Sequence, residues 1–311
     1  TNAALTADVG SGALTVTQLS EEYQQSFFDI ERDTRLIFDG AGTLVAAGEF
    51  WSREPYVYPY FWGTVHPDYR GRGYGTHLCD WAEGRAQHNL AQAPLDARVA
   101  VRCNAVSTND AARALFEGRG MTVARHFWRM QITMDPVEAP RPVWPDSVRM
   151  RTHVAGQDDR RVWEVLEDSF ADHWGFTPSP FEHFYEGMIA VESFDPSLWF
   201  LAVADTPDGE EIVGVSLCRL GTSDDPDQGF VLDLGVLRDW RRRGIALALL
   251  HETFREFHRR GTYRVGLGVD ASSLTGATRL YEKAGMSILR QSDLYELQLR
   301  DGRQLDTTTL D

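Results

Sequence analysis

One block of sequence occurs twice in this chain, which restricts the fold to two units built on a common plan. Val65-His-Pro-Asp-Tyr-Arg-Gly-Arg-Gly-Tyr-Gly75 returns as Val236-Leu-Arg-Asp-Trp-Arg-Arg-Arg-Gly-Ile-Ala246. Downstream, Ala112-Arg-Ala-Leu-Phe-Glu-Gly-Arg-Gly-Met121 returns as Ala277-Thr-Arg-Leu-Tyr-Glu-Lys-Ala-Gly-Met286. Each first block ends an apolar run, turns through Arg-x-x-Gly-x-Gly or Arg-x-x-Gly-x-Ala, and enters a helical pattern. That arrangement aims free backbone N–H groups and a helix dipole at an anion.

A length of 311 residues with 42% hydrophobic content can supply two cores. The formal net charge of -15 opposes nonspecific attraction to nucleic acid or an anionic membrane surface. An anionic ligand therefore needs a local cationic site, and Arg238-Asp-Trp-Arg-Arg-Arg243 is one, with Arg70 and Arg72 in the first copy. Cys79, Cys103 and Cys218 are far apart, lie in apolar segments and have no partner at metal-ligand spacing, so they read as buried thiols and no metal is expected. No apolar run is long enough to cross a membrane, and a cytoplasmic location is expected.

Met134-Asp-Pro-Val-Glu-Ala-Pro-Arg-Pro-Val-Trp-Pro145 holds four prolines, which fix φ and remove backbone donors. It divides the chain into an N-terminal domain over 1–135, a linker over 136–147 and a C-terminal domain over 148–311. Before it, period and punctuation predict strands at Leu44 to Phe50 and Tyr56 to Val65, a helix from Gly73 to about His88, a strand at Ala97 to Cys103, a helix at Asp110 to Gly118 and a strand at Met121 to Thr133. After it the order returns. Strands at Trp199 to Ala204 and Ile212 to Leu220 flank a turn at Pro207-Asp208-Gly209, followed by strand Phe230 to Val236 and helix Gly244 to Arg260. Strand Tyr263 to Val269, helix Thr275 to Ala284 and strand Met286 to Leu299 complete the second copy. This copy also carries an extra front section, helical over Gln157 to Phe170 and Pro180 to Val191, for which the first copy has little room. His173 and Trp174 in that section either line an acceptor pocket or anchor a loop.

The pattern V-x-x-x-x-R-x-x-G-x-[GA] followed by A-x-x-L-[YF]-E-x-x-G-M resembles the GNAT superfamily of acetyl-CoA-dependent N-acetyltransferases, and both copies match it. The resemblance implies an α/β protein of tandem GNAT-type domains, each a central mixed, mostly antiparallel β-sheet flanked by helices. It further implies that Arg241, Arg242, Arg243, Gly244, Ile245 and Ala246 cradle the coenzyme pyrophosphate through backbone N–H groups. Leu234, Gly235 and Val236 would run beside the pantetheine and offer a backbone N–H to the thioester carbonyl. Tyr281 occupies the position of the family's general acid, Asp233 is a candidate base, and Ser273 stands near the place of a coenzyme-contacting asparagine. In the first copy the corresponding cofactor residues are Thr64, Val65, Arg70, Gly71, Arg72, Gly73, Tyr74, Gly75 and Asn109.

The copies differ where chemistry is expected. Phe116 replaces Tyr281 and has no proton to give, and Trp62 aligns with Asp233. One reading is an acyltransferase that moves acetyl from acetyl-CoA to a small-molecule primary amine in a ternary complex, with catalysis in the second copy and coenzyme binding alone in the first. The other is a noncatalytic acetyl-CoA sensor or scaffold. Either is compatible with a monomer or a homodimer.

Overall fold

The computed structural model describes residues 1–207, 209–273 and 276–307. Asp208, in the expected turn, and Thr275, the expected start of the last helix, lie outside the described residues. The chain forms two compact units, and they interleave in sequence. The first contains 1–127, Ser223–Asp225 and Arg290–Leu305, and the second contains Trp128–Thr222, Pro226–Leu289 and the remaining C-terminal residues. A contiguous division at the proline-rich stretch is thus not what the compact units follow: that stretch falls inside the second unit, and the last strand of the second repeat completes the first.

In the first unit, helices α1 (Asn2–Val9), α2 (Val16–Tyr23) and α3 (Ile30–Asp33) precede strands β1 (Thr34–Phe38), β2 (Leu44–Trp51) and β3 (Tyr60–Val65). Helix α4 (Tyr74–Asn89), strand β4 (Val99–Val106) and helix α5 (Asp110–Gly118) follow, and strand β5 (Thr122–Thr133) begins in this unit and continues from Trp128 in the second. Three of these elements answer the prediction that the first copy has little room for a front section: α1, α2 and α3 are that section. The strand expected from Tyr56 begins only at Tyr60, because Tyr56 sits at φ 62 and Pro59 has no N–H to give a ladder.

The second unit adds β6 (Val148–Thr152), α6 (Asp159–Phe170), α7 (Phe181–Phe184), β7 (Trp199–Thr206), β8 (Gly209–Leu220) and β9 (Gly229–Val236). It ends with α8 (Ile245–Arg259), β10 (Arg264–Asp270) and α9 (Ala277–Lys283); strand β11 (Ser287–Arg300) follows and from Arg290 onward belongs to the first unit. Sheet order is β1-β2-β3-β4-β11 in the first unit and β6-β7-β8-β9-β10 in the second. Within these two orders the strands pair antiparallel except β3 with β4 and β9 with β10. Both sheets are therefore mixed and mostly antiparallel.

Side chains alternate between sheet faces, and each unit uses both. In the second unit Phe200, Ala202 and Ala204 of β7 join the core under α8, with Leu249, Phe254 and Phe257. Their neighbours Trp199, Leu201 and Val203 pack with Val162, Val165 and Leu166 of α6 on the opposite face. In the first unit Phe50, Phe61 and Leu78 make the core under α4. The three cysteines are buried thiols. No described helix is long and apolar enough to cross a membrane.

Candidate active site

The repeated turns fold alike. Gly73 and Gly244 cap α4 and α8 at φ 87 and 86, a left-handed conformation that glycine reaches without steric cost, and neither helix start is capped by a side chain. The first-turn N–H groups thus remain available to an anion. Two residues earlier, Gly71 has φ 74 and Arg242 has φ 62, so the second copy holds a non-glycine residue in the same strained turn. Arg242 is exposed at the mouth of a cleft of about 520 Å³. The equivalent cleft in the first unit measures about 280 Å³.

The arginine that opens each motif is not aimed at the anion. Arg241 Nε donates to the Val236 carbonyl at 3.1 Å, its Nη2 donates to the Ser169 carbonyl at 2.9 Å, and Nη1 meets Asp172 Oδ2 at 2.5 Å. Arg70 repeats the device, donating to the Val65 carbonyl at 3.4 Å and pairing with Asp8 at 2.9 Å. Both arginines latch the end of the central strand to a front element. Arg72 and Arg243 also turn away, donating to the Asp68 and Asp239 carbonyls, each at 2.9 Å, with their guanidinium groups over Tyr69 and Trp240. The side chains of Arg70, Arg72, Arg241 and Arg243 thus make structural contacts, while the backbone N–H groups expected to cradle a pyrophosphate are left open at each helix start. Although burial alone would raise the Asp172 carboxyl, the hydrogen bond and charge of Arg241 hold it below the ordinary range. Arg241→Ala is expected to strand this buried carboxylate and lower stability by about 2 kcal/mol, whereas Arg70→Ala, at a more exposed pair, costs less than about 1 kcal/mol. Urea midpoints at fixed pH measure both.

Asn109 and Ser273 are likewise used locally. Asn109 Oδ1 accepts from Ala112 N at 3.0 Å and caps α5, while also lining the first cleft. Ser273 Oγ accepts from Ala277 N at 3.4 Å at the start of α9.

Each cleft is opened by a splay in the sheet. β9 pairs with β10 only through Gly229, Phe230 and Val231, so Leu234, Gly235 and Val236 lie beyond the ladder with one edge open to the cleft. β3 pairs with β4 only at Tyr60 and Phe61, which leaves Thr64 and Val65 in the same condition. On the other edge of β9 the register against β8 slips: Leu217 faces Asp233, but Cys218 faces Val231. Leu232 is the extra residue of a β-bulge, a device that re-aims neighbouring groups. The β2–β3 register runs unbroken from Ala46 with Val65 to Trp51 with Tyr60, so the first copy has no such bulge.

Tyr281, on α9, is buried at the cleft wall. Burial, followed by the charge of Asp233, pushes its phenol up to about 12. Desolvation raises the Asp233 carboxyl itself to about 6. The structure thus brings the two candidate catalytic side chains within electrostatic reach of each other. His173 also lines the cleft, and burial holds its imidazole below the ordinary value. Ser169 escaped the sequence reading because nothing distinguishes a serine at the end of an amphipathic helix. It is buried in the cleft wall, and its Oγ makes no hydrogen bond within the described residues. A Cβ on Gly235 would come within 3.0 Å of Ser169 Cβ, so glycine is what lets α6 approach the strand here. An uncapped helix start, an open strand edge and an orphaned hydroxyl together suit a ligand carrying phosphate and amide groups. The first cleft has Phe116 at the Tyr281 position and is also lined by Cys79 and Cys103, whose thiols burial raises. Among the described residues no cluster of His, Cys, Asp or Glu is grouped as for a metal ion.

The acetyltransferase (GNAT) family matches the chain twice, over residues 11–121 and 160–286. The chain belongs to that family. It is a tandem GNAT acetyltransferase, and GNAT proteins use acetyl-CoA. It is 34% identical over 228 residues to a mycothiol acetyltransferase of Thermobispora bispora, covering 72% of this chain and 71% of the relative. A second mycothiol acetyltransferase, from Streptomyces coelicolor, is 28% identical over 259 residues, covering 83% and 77%. Among solved structures, a GCN5-related N-acetyltransferase from Sphaerobacter thermophilus superposes with a TM-score of 0.80 at 36% identity, covering 99% of this chain and 93% of that one. A tandem GNAT protein from the clavulanic acid biosynthesis pathway shares the fold, with a TM-score of 0.67 at 13% identity and coverage of 97% and 94%.

Proposed function

We propose that the second repeat catalyses acetyl transfer from acetyl-CoA to the primary amine of a small molecule by direct attack, and that the first repeat binds coenzyme without catalysing. The observation that carries this reading is the coupling of Asp233 to Tyr281 beside the bulge at Leu232, with no equivalent in the first copy. Relatives named mycothiol acetyltransferases support a small-molecule acceptor.

Acetyl-CoA supplies the activated acyl group and a thiol leaving group. The first turn of α8, from Gly244 to Leu247, holds the pyrophosphate through backbone N–H groups. The open edge of Leu234 to Val236 orients the pantetheine arm, and a preorganised N–H there is worth about 3 kcal/mol of barrier where negative charge develops. Asp233 takes a proton from the incoming ammonium. Tyr281, neutral throughout the physiological range, donates one to the departing sulfur. No cysteine lies in either motif, so no acetyl-enzyme is required.

Coenzyme release from acetyl-CoA, followed with a thiol reagent across a panel of small amines, tests the reading; no release with any amine overturns it. Calorimetry with coenzyme A is expected to count two sites per chain. Gly75→Trp places an indole in the first cleft against Leu115, since a Cβ at Gly75 already lies 3.1 Å from Leu115 Cδ2. It should remove one site and leave turnover intact, whereas an unchanged stoichiometry would show that the first cleft is structural only.

A further inference from the structure

The first unit carries a second cavity on the sheet face away from α4. Glu49 stands opposite Trp62, and Trp51 opposite Tyr60, in the β2–β3 ladder. Residues two apart on a strand share a face, so these four side chains form one cross-strand cluster. Their alternating neighbours Phe50 and Phe61 point the other way, into the core under α4. The cluster opens into a cavity of about 450 Å³, closed from the front by Leu5, Leu14 and Leu19.

The first copy is therefore not without a carboxylate near its central strand, as the Trp62 for Asp233 exchange had implied. The acid stands on the adjacent strand. Glu49 is only 8% exposed. Its Oε1 accepts from the Tyr23 hydroxyl at 2.6 Å and its Oε2 from the Trp51 indole N–H at 3.2 Å, both neutral donors. Burial raises its carboxyl above the ordinary value, and the two hydrogen bonds offset this only in part. The described lining of the cavity includes Glu22 and Glu49 but neither lysine nor arginine. A buried carboxylate held by neutral donors, facing a cavity walled by two indoles and a phenol, offers a charge and π-faces of the sign that attracts a cation.

We infer that this cavity is a binding site for a small organic ammonium ion, with Glu49 as counter-ion and Trp51, Tyr60 and Trp62 as its aromatic walls. The site lies within the first unit and uses none of the groups assigned to acetyl transfer.

Calorimetry of the full chain with choline and its neutral isostere 3,3-dimethyl-1-butanol tests it. Wild-type protein is expected to bind choline at least tenfold more tightly than the isostere. Glu49→Gln keeps the shape and should weaken choline at least tenfold, as should Trp62→Leu, while Asp233→Asn binds choline as wild type does. Near-ultraviolet circular dichroism of each variant reports whether it is folded, and the two substitutions on different strands provide independent readings. Absence of choline binding, equal affinity for the isostere, or binding untouched by both Glu49→Gln and Trp62→Leu would overturn the inference. None of these measurements reads acetyl transfer, so their failure is separable from failure of the catalytic assignment.

Discussion

Asp233→Asn is expected to lower kcat/KM for the amine by about 10²–10³-fold at neutral pH and to abolish the acid limb of the pH–rate profile. In the wild type the carboxyl is raised to about 6, so the basic form grows as pH rises through that value. Activity should climb with it and reach most of its plateau from this group by pH ~7. In the variant, which has no carboxylate to deprotonate the ammonium, activity should instead follow the free amine and rise as the acceptor deprotonates at higher pH. Asparagine fills the same space but cannot accept a proton, so the limb near 6 disappears with the carboxylate. If a limb survives there in Asp233→Asn, it belongs to another group. His173 is the first candidate, because it lines the same cleft with its imidazole held below the ordinary value by burial.

What the sequence made legible was local. The repeated turn is written in consecutive residues: an apolar strand end, an Arg-x-x-Gly run and a glycine, Gly73 or Gly244, at the helix start. The helices that follow begin within a residue of their expected starts. Partners distant in sequence were not legible. The alternation of β11 is the same whichever strand it meets, so nothing in it announced that Arg290–Leu305 would complete the first unit against β4. Opposition of Glu49 and Trp62 depends on ladder register, which the sequence does not state. The bulge at Leu232 was invisible for a similar reason, since it is a mismatch between two strands and a property of neither alone. The partners of the arginines were not legible either, since Asp8 and Asp172, the acids that claim Arg70 and Arg241, are remote in sequence.

Tyr281→Phe is expected to lower kcat by about 10²-fold with little change in the Kd for acetyl-CoA. The substitution recreates in the second repeat what the first already has at Phe116, so the ring's volume fits the wall and the loss is confined to the hydroxyl. A phenol pushed up to about 12 keeps its proton at neutral pH and is a donor to the leaving sulfur rather than an anion that would repel it. Single-turnover measurement of thiol release separates this step from coenzyme binding, and an unchanged rate would remove Tyr281 from the chemistry. The converse change, Phe116→Tyr, should not create a second active centre, because the first repeat would still lack the bulge that re-aims β9 and would still carry Trp62 in place of Asp233. The coupling between the two side chains makes a sharper demand. Since the Asp233 charge helps raise the Tyr281 phenol, the double variant Asp233→Asn, Tyr281→Phe should lose less than the product of the single losses. Strictly multiplicative losses would mean that the two groups act in separate steps and not as one proton-handling pair.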